Sequence, residues 1–365
     1  MEPALSRNHS MLKEHAAPLS TAALMERLRG WLPTRMPGAC DLDISDPVEP
    51  AQGSSSRTIL FKLSWREQGV GHERDLVARI QRGAACPLQS DVLHHYRTMA
   101  AIADAADVAV PGLFLAQEDA GILGAPFFLM ERVEGRVPAD FPSYHAQGWF
   151  AAELTAPQRE RAWWNAIAEM AKLHRIGWQH FSFMARELQQ APDAGFYLEH
   201  FIGRWLAWAA QGEPYPLLDR ALRHLLEHRP PVEHAGLVWN DARMGNTMFA
   251  ADLRVASLLD FEVATLGPAE IDLAWWLYAE DLFSLRLGHQ RIAGIPDREA
   301  AIRGFERLYG RPMPHFEYYE AIAALKHAVI SIRDFRNGKS VNRSGALLDF
   351  ATQRLSRYLD SDRRA

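Results

Sequence analysis

Three oxygen-bearing side chains stand at fixed intervals in the segment Val238–Glu262, VWNDARMGNTMFAADLRVASLLDFE: Asp241, Asn246 five residues on, and Asp260 fourteen further. A carboxylate held at a cleft can accept the proton of a substrate hydroxyl as that hydroxyl attacks. A second carboxylate and an amide oxygen suit magnesium, which takes oxygen ligands and completes its shell with water and substrate phosphates. Together the three make the smallest set that can move a phosphoryl group from a nucleotide to an alcohol. Singly, Asp241 and Asn246 read as turn residues, because Asp and Asn side chains bond their own backbone in turns. The spacing of all three, with an apolar strand ending in D-F-E, favours chemistry over turn capping.

Apolar runs must position these residues. Leu237-Val238-Trp239 reads as a short buried strand, Asn240 to Gly245 as a polar, flexible break, and Thr247-Met248-Phe249 as the next strand. Asp252 marks a turn, and Val255 to Leu259 runs into Asp260. Both carboxylates therefore stand where apolar strands stop.

The loop WNDARMGN followed by LDFEVATLGPAEIDLA resembles the catalytic and metal-binding loops of kinase-like enzymes. More closely it resembles the aminoglycoside phosphotransferase and choline kinase superfamily, nearest the branch whose domain is also found fused to acyl-CoA dehydrogenases. That branch reads H-G-D-x-R-x-G-N, then L-D-W-E-x-A-T-L-G-D-P-x-x-D-L-A. Flanking matches are GAPFFLMERVEG at Gly124–Gly135 and GIPDR at Gly294–Arg298, so the resemblance covers about residues 45 to 335.

The resemblance implies an α+β, bilobal protein-kinase-like fold. A small antiparallel-sheet N-lobe would occupy residues 1–134 and a larger, mainly helical C-lobe residues 135–365. It implies ATP and Mg2+ as cofactors, Asp241 as catalytic base, and Asn246 and Asp260 as metal ligands. Asp272 would brace the catalytic loop from the start of a helix. Arg243, two residues after the base, would meet phosphate or an acidic substrate group, with a surface salt bridge as the alternative. Arg79 would meet the nucleotide phosphates, with Lys62 as runner-up, and Glu131 and Val133 would contact the adenine edge through main chain. Departures are Trp239 where the family carries His, Asn240 where it carries Gly, and His94-His95-Tyr96 where a helix Glu should pair with the phosphate-binding cation.

Composition agrees with a catalytic globular chain. Its 365 residues exceed one ordinary core, and 48% hydrophobic with 23% charged residues excludes disorder. A net charge of −5 without a long basic run argues against a nucleic-acid partner. Two cysteines, Cys40 and Cys86, give neither a disulfide framework nor zinc spacing. The polar amino terminus lacks an apolar signal core, and no stretch reaches membrane-spanning length, so a cytoplasmic chain with no membrane partner is expected. Before the motif, Ser20 to Trp31 reads as a capped helix, Gly53 to Ser56 as a turn that can close over phosphates, and Thr58–Trp65 and Asp75–Ile80 as strands. After Gly135 the chain reads as mostly helical.

The acceptor that the resemblance implies is a small-molecule hydroxyl compound, with a hydroxylated acyl-CoA thioester and an antibiotic-like alcohol both open. Six arginines between Arg286 and Arg311 lean away from a cationic aminoglycoside. A nucleotide-binding protein without turnover and a non-nucleotide hydrolase or binding protein are the rival classes.

Overall fold

The computed structural model describes residues 19–50, 56–82, 91–185, 188, 191–231, 234–336 and 346–362. The Gly53–Ser56 turn, apart from Ser56, lies outside the described residues, as does Cys86.

A helix, α1 (Thr21–Arg35), opens the chain, with the Ser20 hydroxyl accepting from Ala23 N as its cap. Five antiparallel strands follow: β1 (Ala39–Val48), β2 (Ser56–Glu67), β3 (Val70–Gln81), β4 (Leu113–Gln117) and β5 (Phe127–Glu131), in the order β1-β2-β3-β5-β4. Between β2 and β3 the two-residue turn Gln68-Gly69 has φ of 50° and 80°. Positive φ at both turn residues matches the twist of a hairpin. Helix α2 (Val92–Ala105) connects β3 to β4.

Successive residues of a strand face opposite sides, and β5 uses this to join two cores. Phe127 lies in the core between the sheet and α1, with Trp31 set edge-on at 5.0 Å. Phe128, facing the other way, lies in the core shared by α2 and the helical region. Burying each phenylalanine contributes roughly 2–3 kcal/mol.

The helical region is built on α3 (Ala156–His174), α4 (Pro216–Glu227), α5 (Glu270–Phe283), α6 (Arg298–Tyr309), α7 (Phe316–Arg336) and α8 (Ala346–Asp362). Two small strand pairs sit beneath the sheet. One joins β6 (Gly236–Val238) to β9 (Thr265–Gly267); the other is the β7 (Thr247–Phe249) and β8 (Val255–Leu258) hairpin. They hold the segment that carries Asp241, Asn246 and Asp260. Among the described residues, no helix is long and apolar enough to cross a membrane.

Candidate phosphotransfer site

Asp241 follows β6 after two residues that the interior grips tightly. Asp272, fully buried at the start of α5, accepts from the Trp239 and Asn240 amides at 2.5 and 2.8 Å. His174, at the end of α3, places Nε2 3.3 Å from the same carboxylate. Asn240 stands at φ 72°, where glycine is unstrained and Asn is among the few side chains tolerated. That conformation accounts for an Asn where related loops carry Gly. Its side chain is also used: Tyr197 Oη donates to Oδ1 at 2.8 Å, and Nδ2 donates to Val263 O at 2.7 Å. Lys326 of α7 donates to the Asn240 carbonyl.

Asn246 clasps Asp241. Its Nδ2 donates to Asp241 O at 2.9 Å and to Oδ2 at 2.7 Å. Arg243 Nε lies 3.2 Å from both carboxylate oxygens, and Nη1 donates to Asp140. Burial alone would raise the Asp241 carboxyl. The charges of Arg243 and Lys326, with hydrogen bonds from Arg243 and Asn246, outweigh it and hold the group below its ordinary range. Asp140 is pushed by burial to about 6, with Arg243 opposing and Asp241 adding to the rise. Arg243 is thus neither a surface bridge nor an open phosphate contact: its side chain is 19% exposed and held between two carboxylates. A Cβ at Gly245 would collide with Arg243 and Asp140, so the glycine makes room for this clamp.

Asp260 sits just past β8 at φ 66°, a strained conformation for a non-glycine residue. Leu259 N donates to Asn246 O at 2.9 Å, which ties the two candidate metal ligands together. Trp239 Nε1 donates to Leu259 O at 2.9 Å, and its ring stacks on Phe261 at 5.5 Å. The indole thereby binds the catalytic loop to the D-F-E segment. The histidine pair of α2 clasps that segment from the other side. His95 Nε2 accepts from Phe261 N at 3.4 Å, and His94 Nε2 lies 2.9 Å from Ala264 O. Burial holds His95 well below its ordinary range, with Arg79 and His94 adding, so it is neutral and able to accept.

Buried Asp260 Oδ1 has no hydrogen-bond partner, and burial pushes this carboxyl to about 7, with Glu262 and Asp241 adding. An orphaned carboxylate oxygen among other carboxylates is a place for a cation. Asp260 with Asn246 therefore fits magnesium.

The nucleotide-side residues divide. Arg79 on β3 donates to Thr58 Oγ1 at 3.1 Å and lies 3.5 Å from Glu262 of D-F-E. Glu262 therefore stands where a helix glutamate was expected, and α2 contributes the histidine clasp instead. Lys62 points away to Glu73, at 2.8 Å, and drops out as the alternative. Glu131 spends its main-chain N–H on Gly112 O at 2.7 Å, so that donor is closed to a nucleotide base. Val133 follows, half-buried, beyond the end of β5.

Asp140, Glu262 and Lys326 were not singled out in the sequence as site residues. Glu262 had a signal in the D-F-E motif; Asp140 and Lys326, in VPADFP and AALKHA, had none. Two members of the arginine run have acidic partners: Arg291 pairs with Asp281 at 2.6 Å and Arg298 with Glu320 at 2.6 Å. Both line a cavity of about 390 Å³ with Tyr278 and Arg354, and Asp241 does not line it.

Three comparisons place this geometry. Acyl-CoA dehydrogenase family member 10 of Mus musculus is 27% identical over 321 residues, covering 84% of this chain and 27% of that protein. The chain thus spans about a quarter of the length of this curated relative. A Ralstonia eutropha protein provisionally assigned as an aminoglycoside phosphotransferase superposes with a TM-score of 0.69 at 22% identity, covering 92% of this chain and 98% of that one. A thermostable mutant of the aminoglycoside phosphotransferase APH(4)-Ia, in ternary complex with ADP and hygromycin B, gives 0.51 at 16% identity, covering 92% and 98%. These structural likenesses establish the protein-kinase-like fold. The model of the phosphotransferase enzyme family matches residues 48–321, most of the chain, and the protein belongs to that family.

Proposed function

We propose that the protein transfers the γ-phosphoryl group of ATP to the hydroxyl of a small molecule, with Asp241 orienting and deprotonating that hydroxyl. The observation that carries this is the Asn246 amide held 2.7 Å from Asp241 while its backbone is bonded to the residue before Asp260. One element thus fixes the distance between the base and the candidate metal site. Asp241, kept ionised by Arg243 and Lys326, is an acceptor for the hydroxyl proton. Asn246 and Asp260 would hold the magnesium, which supplies charge neutralisation on the phosphate oxygens. Arg79 would face the phosphates from the sheet, and the Val133 peptide would face the base. In this reading the nucleotide lies between residues 1–134 and 135–365. Most of the rate would come from positioning and fixed charge.

The acceptor class stays at the level of a small hydroxyl compound. Because Arg291 and Arg298 are paired, they give no preference for an acyl-CoA thioester over a cationic alcohol.

ADP release from Mg-ATP in the presence of a pool of hydroxylated small molecules, measured beside a thermal shift with Mg-ATP, tests the reading. Binding with ADP release that Asp241→Ala abolishes supports it. Binding without release makes the protein a nucleotide-binding relative without turnover, and absence of both refutes nucleotide chemistry.

A further inference from the structure

We propose that Lys326 is a positioning residue for Asp241: its ammonium seats the left-handed peptide at Asn240 and supplies a fixed positive charge behind the base. What Asp241 does rests on the phosphotransfer reading; the coupling between the two side chains does not.

Lysine is scarce in this chain. Five lysines stand against thirty-five arginines, and Lys13 and Lys339 lie outside the described residues. Lys62 and Lys172, both with part-exposed side chains, pair with Glu73 and Glu169. Lys326 alone among the described lysines is buried, 3% exposed, in the middle of α7. Its Nζ donates to the Asn240 carbonyl and lies 3.8 Å above the Trp275 ring. An ammonium in that setting is costly unless nearby negative charge compensates it.

The charged groups facing it are few. Asp241 and Arg243 come from the loop after β6, and Asp272 comes from α5. On its own helix, burial keeps the adjacent His327 neutral, with ring Nδ1 2.8 Å from Tyr278 Oη. Tyr197 meets Asn240 through its hydroxyl. Asp272 is already occupied by two amides, and Asp241 by Asn246 and Arg243. Lys326 therefore reaches both carboxylates through space, while its direct bond fixes the carbonyl immediately before Asp241. Holding that peptide fixes the direction in which the Asp241 side chain leaves the backbone. A compact ammonium fits between a carbonyl and an indole face, where a planar guanidinium fork would need more room. Burial lowers the ammonium to about 8 against the pull of Asp241 and Asp272, so the charge is present at neutral pH and lost above it.

The test is a pH titration of the full chain labelled with 13C at the lysine ε carbons. Five signals are expected, with Lys326 assigned by its loss in Lys326→Gln and by the shift its neighbour Trp275 imposes. The Lys326 midpoint should lie below the others. Because coupling is reciprocal, Asp241→Asn should move it lower still. A midpoint that stays in place in Asp241→Asn overturns the proposal, whether or not Lys326→Gln folds. In ADP-release kinetics with an accepted alcohol present, Lys326→Gln should lose about tenfold or more in kcat while KM for Mg-ATP stays nearly unchanged. The alkaline fall of the wild-type profile should disappear with it. Unaltered kcat and pH profile in Lys326→Gln would also overturn it. If the wild type binds Mg-ATP yet phosphorylates no alcohol in a hydroxylated-metabolite pool, the phosphotransfer reading fails and the titration still decides this one.

Discussion

The Arg79 guanidinium of the sheet lies 3.5 Å from the Glu262 carboxylate in the segment after β8, joining the two halves of the site. Protein kinases place such a cation against a helix glutamate; here the glutamate comes from the D-F-E motif itself. Both side chains are largely buried, at 17% and 12% exposed, so removing either partner leaves the other charge poorly compensated. In the proposed function Arg79 meets phosphate. Arg79→Met is then expected to raise KM for Mg-ATP by about tenfold or more, a loss of roughly 1.4 kcal/mol, with a smaller effect on kcat. Steady-state kinetics with varied Mg-ATP check this, and an unchanged KM would remove Arg79 from the nucleotide site.

Trp239 links the catalytic loop to the D-F-E segment through one hydrogen bond and one stacked ring. Trp239→Phe keeps the stack and leaves the part-buried Leu259 carbonyl without its donor, so a loss of about 1 kcal/mol is expected. Trp239→Ala empties the site of a fully buried indole and should cost about 3–5 kcal/mol. Urea unfolding of the two variants measures both; equal losses would show that the hydrogen bond carries nothing.

Asn240 separates conformation from bonding. Asn240→Gly loses the bonds to Tyr197 and Val263 but keeps the left-handed backbone at low cost. Asn240→Ala loses the same bonds and adds about 1 kcal/mol for a Cβ at positive φ. The alanine variant should therefore unfold at lower denaturant than the glycine variant. Identical midpoints would mean that the φ of 72° imposes no constraint.

Lys326 gives the pH dependence. Its folded value of about 8 lies below the ordinary 10.5, so folding releases a proton between those pH values. Where the unfolded chain holds the extra proton, stability rises with pH. The Lys326 contribution should therefore improve between about pH 8 and 10.5, by roughly 3 kcal/mol in all. Other groups titrate in the same window, so the quantity to follow is the stability difference between wild type and Lys326→Met. That difference should shift toward wild type as pH rises through the window; a constant difference would contradict a buried, charged lysine.

How much of this was legible in the sequence follows from distance along the chain. Asp241, Asn246 and Asp260 lie within twenty residues on strands that pair locally, so apolar runs and spacing were enough to bring them together. The partners that tune them come from afar. Arg79 meets Glu262 across 183 residues, Arg243 meets Asp140 across 103, and Lys326 meets Asn240 across 86. A lysine inside an apolar helix carries no sign of what it will face. The His94-His95 pair was visible as an irregularity, yet its purpose, clasping Phe261 and Ala264, needed the α2 position that only packing against Phe128 and Phe183 sets. The pairing of Arg291 and Arg298 was not legible because their acidic partners, Asp281 and Glu320, lie on other helices.

The most direct test of the central claim is incubation with Mg-ATP and a library of hydroxylated metabolites, followed by mass spectrometry for the gain of one phosphate. At least one alcohol should gain that mass with the wild type, and Asp241→Asn should slow the transfer by about 10²–10⁴-fold while still binding nucleotide. If no compound gains phosphate although the protein binds Mg-ATP, or if Asp241→Asn transfers as well as wild type, the assignment of Asp241 as the base of a phosphotransferase is wrong.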